Sequence, residues 1–151
     1  MNLHDEIVPP VTSIEEEQDE LIAEFSFFDD WMDRYQYIID LGRKLPEMPA
    51  EYIRDEFKLK GCQSQVWFVG EDHGGRLKFL AVSDAAIVSG LIAILLRIYS
   101  NRTPQEILNI EPNFISKIGL EEHLSLTRKN GLGAMVKSIK KRAHLALERV
   151  G

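Results

Sequence analysis

Gln65-Val66-Trp67-Phe68-Val69 and Leu77-Lys78-Phe79-Leu80-Ala81-Val82, separated by Gly70-Glu71-Asp72-His73-Gly74-Gly75, carry the clearest β signature in the chain. Both flanks are rich in β-branched and aromatic residues, which suit a pleated, half-buried surface. The glycine-bearing stretch between them predicts a hairpin loop over Gly70–Gly75. Just upstream, Phe57–Lys60 is expected to add a third strand.

Outward from this hairpin the period changes to that of helices. Ser13-Ile14-Glu15-Glu16 is a capping box, which starts a helix at Ile14 with Leu21, Ile22 and Phe25 on its apolar stripe. A second helix is expected over Phe28–Gly42, with Trp31, Tyr35, Ile38 and Ile39 on one face and Gly42 and Pro46 ending it. Beyond the hairpin, Ser83 is expected to cap a helix reaching Ser100, with Asp84 in its first turn at the positive end of the dipole. That helix is apolar nearly all round and belongs at the centre of the core. Thr103-Pro104-Gln105-Glu106 is a second capping box, with proline at the first helical position. A short helix near Asn113–Ile118 follows. The last helix, roughly Arg128–Arg149, has Leu132, Met135, Val136, Ile139 and Ala143 as its stripe, with Lys137, Lys140, Lys141 and Arg142 expected outside. Helices, a small antiparallel sheet, then helices again describe an α+β fold with helices covering one face of the sheet.

The 151 residues fit a single domain large enough to bury a real core. With 44% hydrophobic and 28% charged residues, the composition is that of a globular chain rather than a disordered one. The apolar run Ala85–Tyr99 is broken by Ser89, Gly90 and Arg97, and is too short to span a bilayer. The N-terminus has neither the basic start nor the apolar run of a signal peptide, so the expected location is the cytoplasm. The net charge of −6 is unevenly spread. Residues 1–33 hold 11 acids and no Lys or Arg, a run read first as a solubilising surface. Such a segment would repel nucleic acid.

One cysteine, Cys62, excludes an internal disulfide and any metal site built from two thiolates of one chain. It lies in Gly61-Cys62-Gln63-Ser64-Gln65, a polar stretch ahead of the first predicted strand. Thiol chemistry runs through the thiolate, which the nearby Lys58 and Lys60 are expected to favour. A lone cysteine is more often an inert small hydrophobe, but a loop position is where functional residues concentrate.

The string Phe57-Lys58-Leu59-Lys60-Gly61-Cys62-Gln63-Ser64-Gln65-Val66-Trp67 contains GCQSQVW, which resembles the signature of the SufE family of cysteine-desulfuration proteins. The resemblance runs on through Ser83–Val88, Gly90–Ala93, Thr103-Pro104, Leu120, His123-Leu124-Ser125, Arg128, Asn130-Gly131-Leu132 and Met135. Upstream it includes Tyr37–Gly42 and Leu45-Pro46, so it covers roughly residues 27 to 145. Residues 1–20 look like an acidic, loosely attached extension ahead of the usual family start. The resemblance implies a SufE-like fold in which Cys62 accepts sulfur from the persulfide of a pyridoxal-phosphate cysteine desulfurase. An iron–sulfur scaffold or another carrier would be the downstream acceptor, and the chain would be an accessory protein without a cofactor of its own. It further implies that Gly61, Gln63, Ser64, Gln65, Asp84 and Arg128 form the loop and partner-binding surroundings. Arg128, close to a helix N-terminus where a cation is disfavoured, suggests a contact made elsewhere.

Two other classes of function compete. A cysteine hydrolase would pair Cys62 with His123 or His73, but the spacing builds no base with an orienting partner. Nucleic-acid binding would use residues 126–151, which hold seven basic residues and one acid. A solvated helix face is the commoner reason for such a run.

Overall fold

The computed structural model describes residues 12–150. Seven helices and one hairpin follow in chain order: α1 (Ile14–Ser26), α2 (Trp31–Gly42), β1 (Val66–His73), β2 (Arg76–Ser83), α3 (Ala86–Tyr99), α4 (Pro104–Asn109), α5 (Phe114–Lys117), α6 (Leu120–His123) and α7 (Leu126–Val150). The class is α+β, as expected.

The hairpin is longer than its sequence suggests. Pairing continues past Gly70↔Phe79 through Glu71↔Lys78, Asp72↔Leu77 and His73↔Arg76, leaving only Gly74 and Gly75 as the turn. Both have positive φ, +63° and +87°, as a tight two-residue hairpin turn requires. Polar side chains at Glu71–His73 do not stop the ladder, because its bonds are made by backbone. Glu71 and His73 sit on the outer face, where His73 Nε2 lies 2.8 Å from a Glu71 carboxylate oxygen. The expected third strand at Phe57–Lys60 does not form. A 3₁₀ turn at Asp55–Phe57 and the turn at Gly61 (φ +89°) leave too few extended residues for a ladder. Only the bridge Lys58↔Trp67 remains, with Leu59 N–H donating to Val66 C=O at 2.9 Å.

The inner face of the hairpin carries Val66, Phe68, Phe79 and Ala81. Phe68 and Ala81 meet Ile92 and Leu95 of α3 and Met135 and Ile139 of α7. As expected, α3 is central: Ile87, Leu91, Ile92, Ile94, Leu95, Ile98 and Tyr99 are all buried. Its start differs from the expected one. The N-cap is Ala85, and Ser83, three positions ahead of the helix, instead accepts at Oγ from the N–H of that N-cap residue. Asp84 is therefore outside the first turn, and its carboxylate is free for another task. α2 begins at Trp31 rather than Phe28, because Asp30 accepts from Met32 N–H and caps it. It crosses α3 at glycine: a Cβ on Gly90 would lie 2.1 Å from the Ile38 carbonyl oxygen.

The acidic N-terminal run is more than a solubilising surface. Residues 1–11 of the expected loose extension lie outside the described residues, and from Ile14 onward the segment is helix with Ile14 and Gln18 buried. Glu17 and Glu24 of α1 close on Arg97 of α3, at 2.5 Å and at 2.6 and 2.8 Å. The block expected on the outside of α7 also divides. Lys140 Nζ donates to the carbonyls of Ile107 and Ile110 at 2.5 and 2.8 Å, closing the C-terminal end of α4. Arg142 Nε donates to Gly70 C=O at 3.2 Å, tying α7 to the hairpin. Lys137 and Lys141 alone among the four are exposed.

Candidate functional site

Cys62 hangs on a short loop that is fixed at both ends. On the incoming side, Gly61 adopts a positive φ that a side chain would strain, and a Cβ there would lie 3.5 Å from Ala134 Cβ of α7. On the outgoing side, the Asp84 carboxylate accepts from Gln65 N–H at 3.0 Å and from the Gln65 side-chain amide at 3.3 Å. Asp84 N–H donates back to Gln65 C=O at 3.3 Å. The pair binds the loop to the open end of the hairpin, and gives Asp84 a positioning task in place of the dipole role expected for it.

Between these anchors the thiol turns inward and is half-buried. Its Sγ lies 3.8 Å from the Gly131 carbonyl oxygen in α7. It faces a cavity of about 360 Å³ with Gln63 and Ser64 on the loop side, Val88 and Leu91 from α3, and Leu132 and Met135 from α7. Ser125, Thr127 and Arg128 complete the wall at the N-terminal end of α7. Ser125 is the cap of that helix, accepting from Arg128 N–H at 3.3 Å. Arg128 is exposed, and its guanidinium makes no ion pair among the described residues. The structure thus gathers Cys62, Gln63, Ser64 and Arg128 around one cavity, with Gly61, Gln65 and Asp84 holding the loop.

Burial pushes the Cys62 thiol above its ordinary range. The help expected from Lys58 and Lys60 is not delivered. Lys58 pairs with Asp55 at 3.2 Å and lies over the Trp67 ring, and Lys60 is exposed to solvent. A raised pKa means less thiolate at neutral pH, so alkylation of Cys62 by iodoacetamide should be slower than that of free cysteine. Its rate should also still be climbing at pH values where free cysteine has levelled off. A rate that levels off within the ordinary thiol range would show that burial does not govern the reactivity.

Neither histidine of the hydrolase reading lines the cavity. His123 stacks on Trp31 at 4.5 Å between ring centroids, and His73 is at the far end of the hairpin beside Glu71. Reasoning from sequence missed Gly131, whose carbonyl faces the thiol, and the wall residues Leu91 and Thr127. Two glycines at 131 and 133 within a helix were the available signal, since glycine there costs about 1 kcal/mol relative to alanine and needs a reason. A Cβ at Gly131 would come within 3.7 Å of Cys62 Sγ.

The SufE model, described as an Fe-S metabolism associated domain, matches residues 19–143. The chain belongs to the SufE family. An uncharacterized SufE-like protein of Rhizobium meliloti is 47% identical over 130 residues, covering 83% of this chain and 93% of that one. A second, from Rhizobium etli, is 46% identical over 130 residues, covering 83% and 88%. A hypothetical protein of Thermus thermophilus, solved in solution, superposes with a TM-score of 0.72 at 20% identity, covering 87% of this chain and 96% of that one. That likeness shows a shared fold. The SufE-like fold and an association with iron–sulfur metabolism are therefore established for this chain. The family match also reaches into α1, upstream of residue 27, where the sequence resemblance begins.

Proposed function

We propose that this SufE family member is a cytoplasmic sulfur acceptor that takes persulfide sulfur from a pyridoxal-phosphate cysteine desulfurase onto Cys62. The sulfur then passes to an iron–sulfur scaffold, and the protein contributes no cofactor. The observation that carries this reading is the single cysteine, held on a loop anchored at both ends with its thiol turned into a cavity large enough for one more sulfur.

The transfer is a thiol–disulfide exchange. The Cys62 thiolate attacks the outer sulfur of the desulfurase persulfide. The bond between the two desulfurase sulfurs breaks, the desulfurase thiolate leaves with that electron pair, and Cys62 carries the persulfide. No electrons are gained or lost overall, so one cysteine suffices. A relay ending in a disulfide would need a second, resolving cysteine. At rest, burial keeps the thiol protonated and shields a carried sulfur from passing thiols. Docking has to swing the loop outward for sulfur–sulfur contact, and the partner's higher affinity for that open state would set its population.

Incubation with a desulfurase and free cysteine should add about 32 daltons per sulfur to the intact chain, reversed by reductant. No mass gain at any desulfurase concentration would overturn the reading. Without the desulfurase the chain should release no sulfide from cysteine.

Arg128 stands at the cavity with no anionic partner of its own among the described residues, which suits contact with a carboxylate of the desulfurase. Arg128→Ala should raise the concentration giving half-maximal stimulation by about tenfold, as for a charged contact worth about 1–3 kcal/mol. Thermal melting should be unchanged, because the side chain is exposed. An unchanged titration, or a large fall in melting temperature, would reject the contact.

A further inference from the structure

The cavity is one part of a larger face. A Cβ on Gly61 would lie 3.5 Å from Ala134 Cβ, so the Cys62 loop passes close to α7 there, and that side of the helix runs on from the loop. The next neighbours on that side are Lys137 and Lys141, three and seven residues on. At about 1.5 Å per residue they stand about 5 and 10 Å beyond the loop contact. Both are exposed, as is Lys60 on the loop itself. None of the three is in an ion pair among the described residues. Lys140 and Arg142, adjacent in sequence, are spent on the carbonyls of Ile107, Ile110 and Gly70. The fold therefore uses two cations of this block and leaves two exposed on the side of α7 that the loop passes, in a chain whose net charge is −6.

The other border of the cavity, walled by Ser125, Thr127 and Arg128, carries one exposed apolar side chain. Leu126, between the cavity-lining Ser125 and Thr127, is 71% exposed. It opens α7, with a cavity-lining residue on either side of it in sequence, and has no core to enter.

We propose that this face docks the desulfurase, with Leu126 as an apolar anchor at the lip of the cavity and Lys60, Lys137 and Lys141 meeting an acidic rim around the desulfurase active-site mouth. The proposal rests on the sulfur-acceptor reading. An anchor beside a charged flank suits a carrier that must bind, react and leave. Rim charges speed encounter and fix orientation while adding little to the lifetime of the complex. Nucleic acid would also be drawn to the lysines, but it has no use for Leu126 and would be repelled by the acids of α1.

The test is a titration of desulfurase stimulation at low and moderate salt with the unsubstituted protein, Lys137→Glu/Lys141→Glu and Leu126→Asp, reading the mass at Cys62 in each. The double lysine variant should raise the half-saturating concentration by about tenfold and lose most of the salt dependence. Its rate at saturation and its mass gain should be unchanged. Leu126→Asp should raise the half-saturating concentration with the salt dependence intact. Both should melt with the unsubstituted protein, since the substituted side chains are exposed. Half-saturating concentrations within about twofold of the unsubstituted protein, with the same salt dependence, would overturn the docking proposal. Lysine-dependent capture of an RNA or DNA oligomer with no change in the titration would overturn it in favour of nucleic acid. Absence of sulfur on the unsubstituted protein would overturn the acceptor reading itself, an arm in which neither variant takes part.

Discussion

Cys62→Ser should take up no sulfur and should abolish any stimulation of the desulfurase that depends on sulfur removal. The substitution changes one atom in a half-buried site, so little else should move. A serine hydroxyl would sit where Sγ now points at the Gly131 carbonyl, and the cavity walls from α3 and α7 would be untouched. Stability should stay within about 0.5 kcal/mol of the parent. The chemistry, by contrast, disappears. A hydroxyl is not ionised at neutral pH and forms no bond to sulfur equivalent to a persulfide. Intact mass should show none of the additions of about 32 daltons seen for the parent, and peptide analysis of the parent should place every one of them at Cys62. A reductant-sensitive adduct on the serine variant would remove Cys62 from the centre of the mechanism.

Gly90→Ala should be the most damaging single methyl in the protein. A Cβ at this position would stand 2.1 Å from the Ile38 carbonyl oxygen and 2.5 Å from Ile38 Cγ2. Neither can yield easily. The carbonyl belongs to the backbone of α2, and Ile38 is fully buried. Gly42 approaches the same crossing from the other helix, where an added Cβ would lie 2.5 Å from Gly90 N. The two helices can make room only by separating, which would open the core along α3. A loss of about 3 kcal/mol is expected, at the upper end for overpacking, and a fall of about 6–12 °C in melting temperature for a chain this size. A melting temperature within about 2 °C of the parent would show that the crossing has more slack than its geometry implies.

That crossing illustrates where sequence runs short. Gly90 interrupts an apolar helix and is visible in the sequence, but nothing local says which backbone it admits. The hairpin was legible because β-branched and aromatic flanks and a Gly-Gly pair are local signals. Its length was not, because backbone pairing through Glu71–His73 is indifferent to side-chain polarity. Caps written in one turn, at Ser13 and Thr103, were readable, and both side chains accept from the third residue on. Ser83 failed because two further residues intervene before α3. Asp84 shows the same limit at the candidate site. Its partner, Gln65, is 19 residues away and becomes a neighbour only when the hairpin closes. Cys62, Arg128 and the polar loop could be named from sequence, but the Gly131 carbonyl and the walls of the cavity come from helices that meet only in the folded chain. Lys140 and Arg142 were misplaced for a related reason: long cationic side chains reach carbonyls that periodicity does not count.

The anchoring of α1 bears on how this protein should be handled at the bench. The family match begins at residue 19, in the middle of that helix. Expression from that boundary would discard Glu17, one of the two carboxylates that neutralise Arg97, and Ile14, which seals one edge of the core. It would also discard Gln18, whose side-chain oxygen accepts from Phe114 N–H at 3.4 Å and so ties α1 to α5. A recombinant version is better begun upstream of Thr12, whose carbonyl is held by the buried Arg102 at 2.8 Å. Where a recognisable domain starts in an alignment and where a helix has finished packing are separate boundaries, and here the second lies at least seven residues before the first.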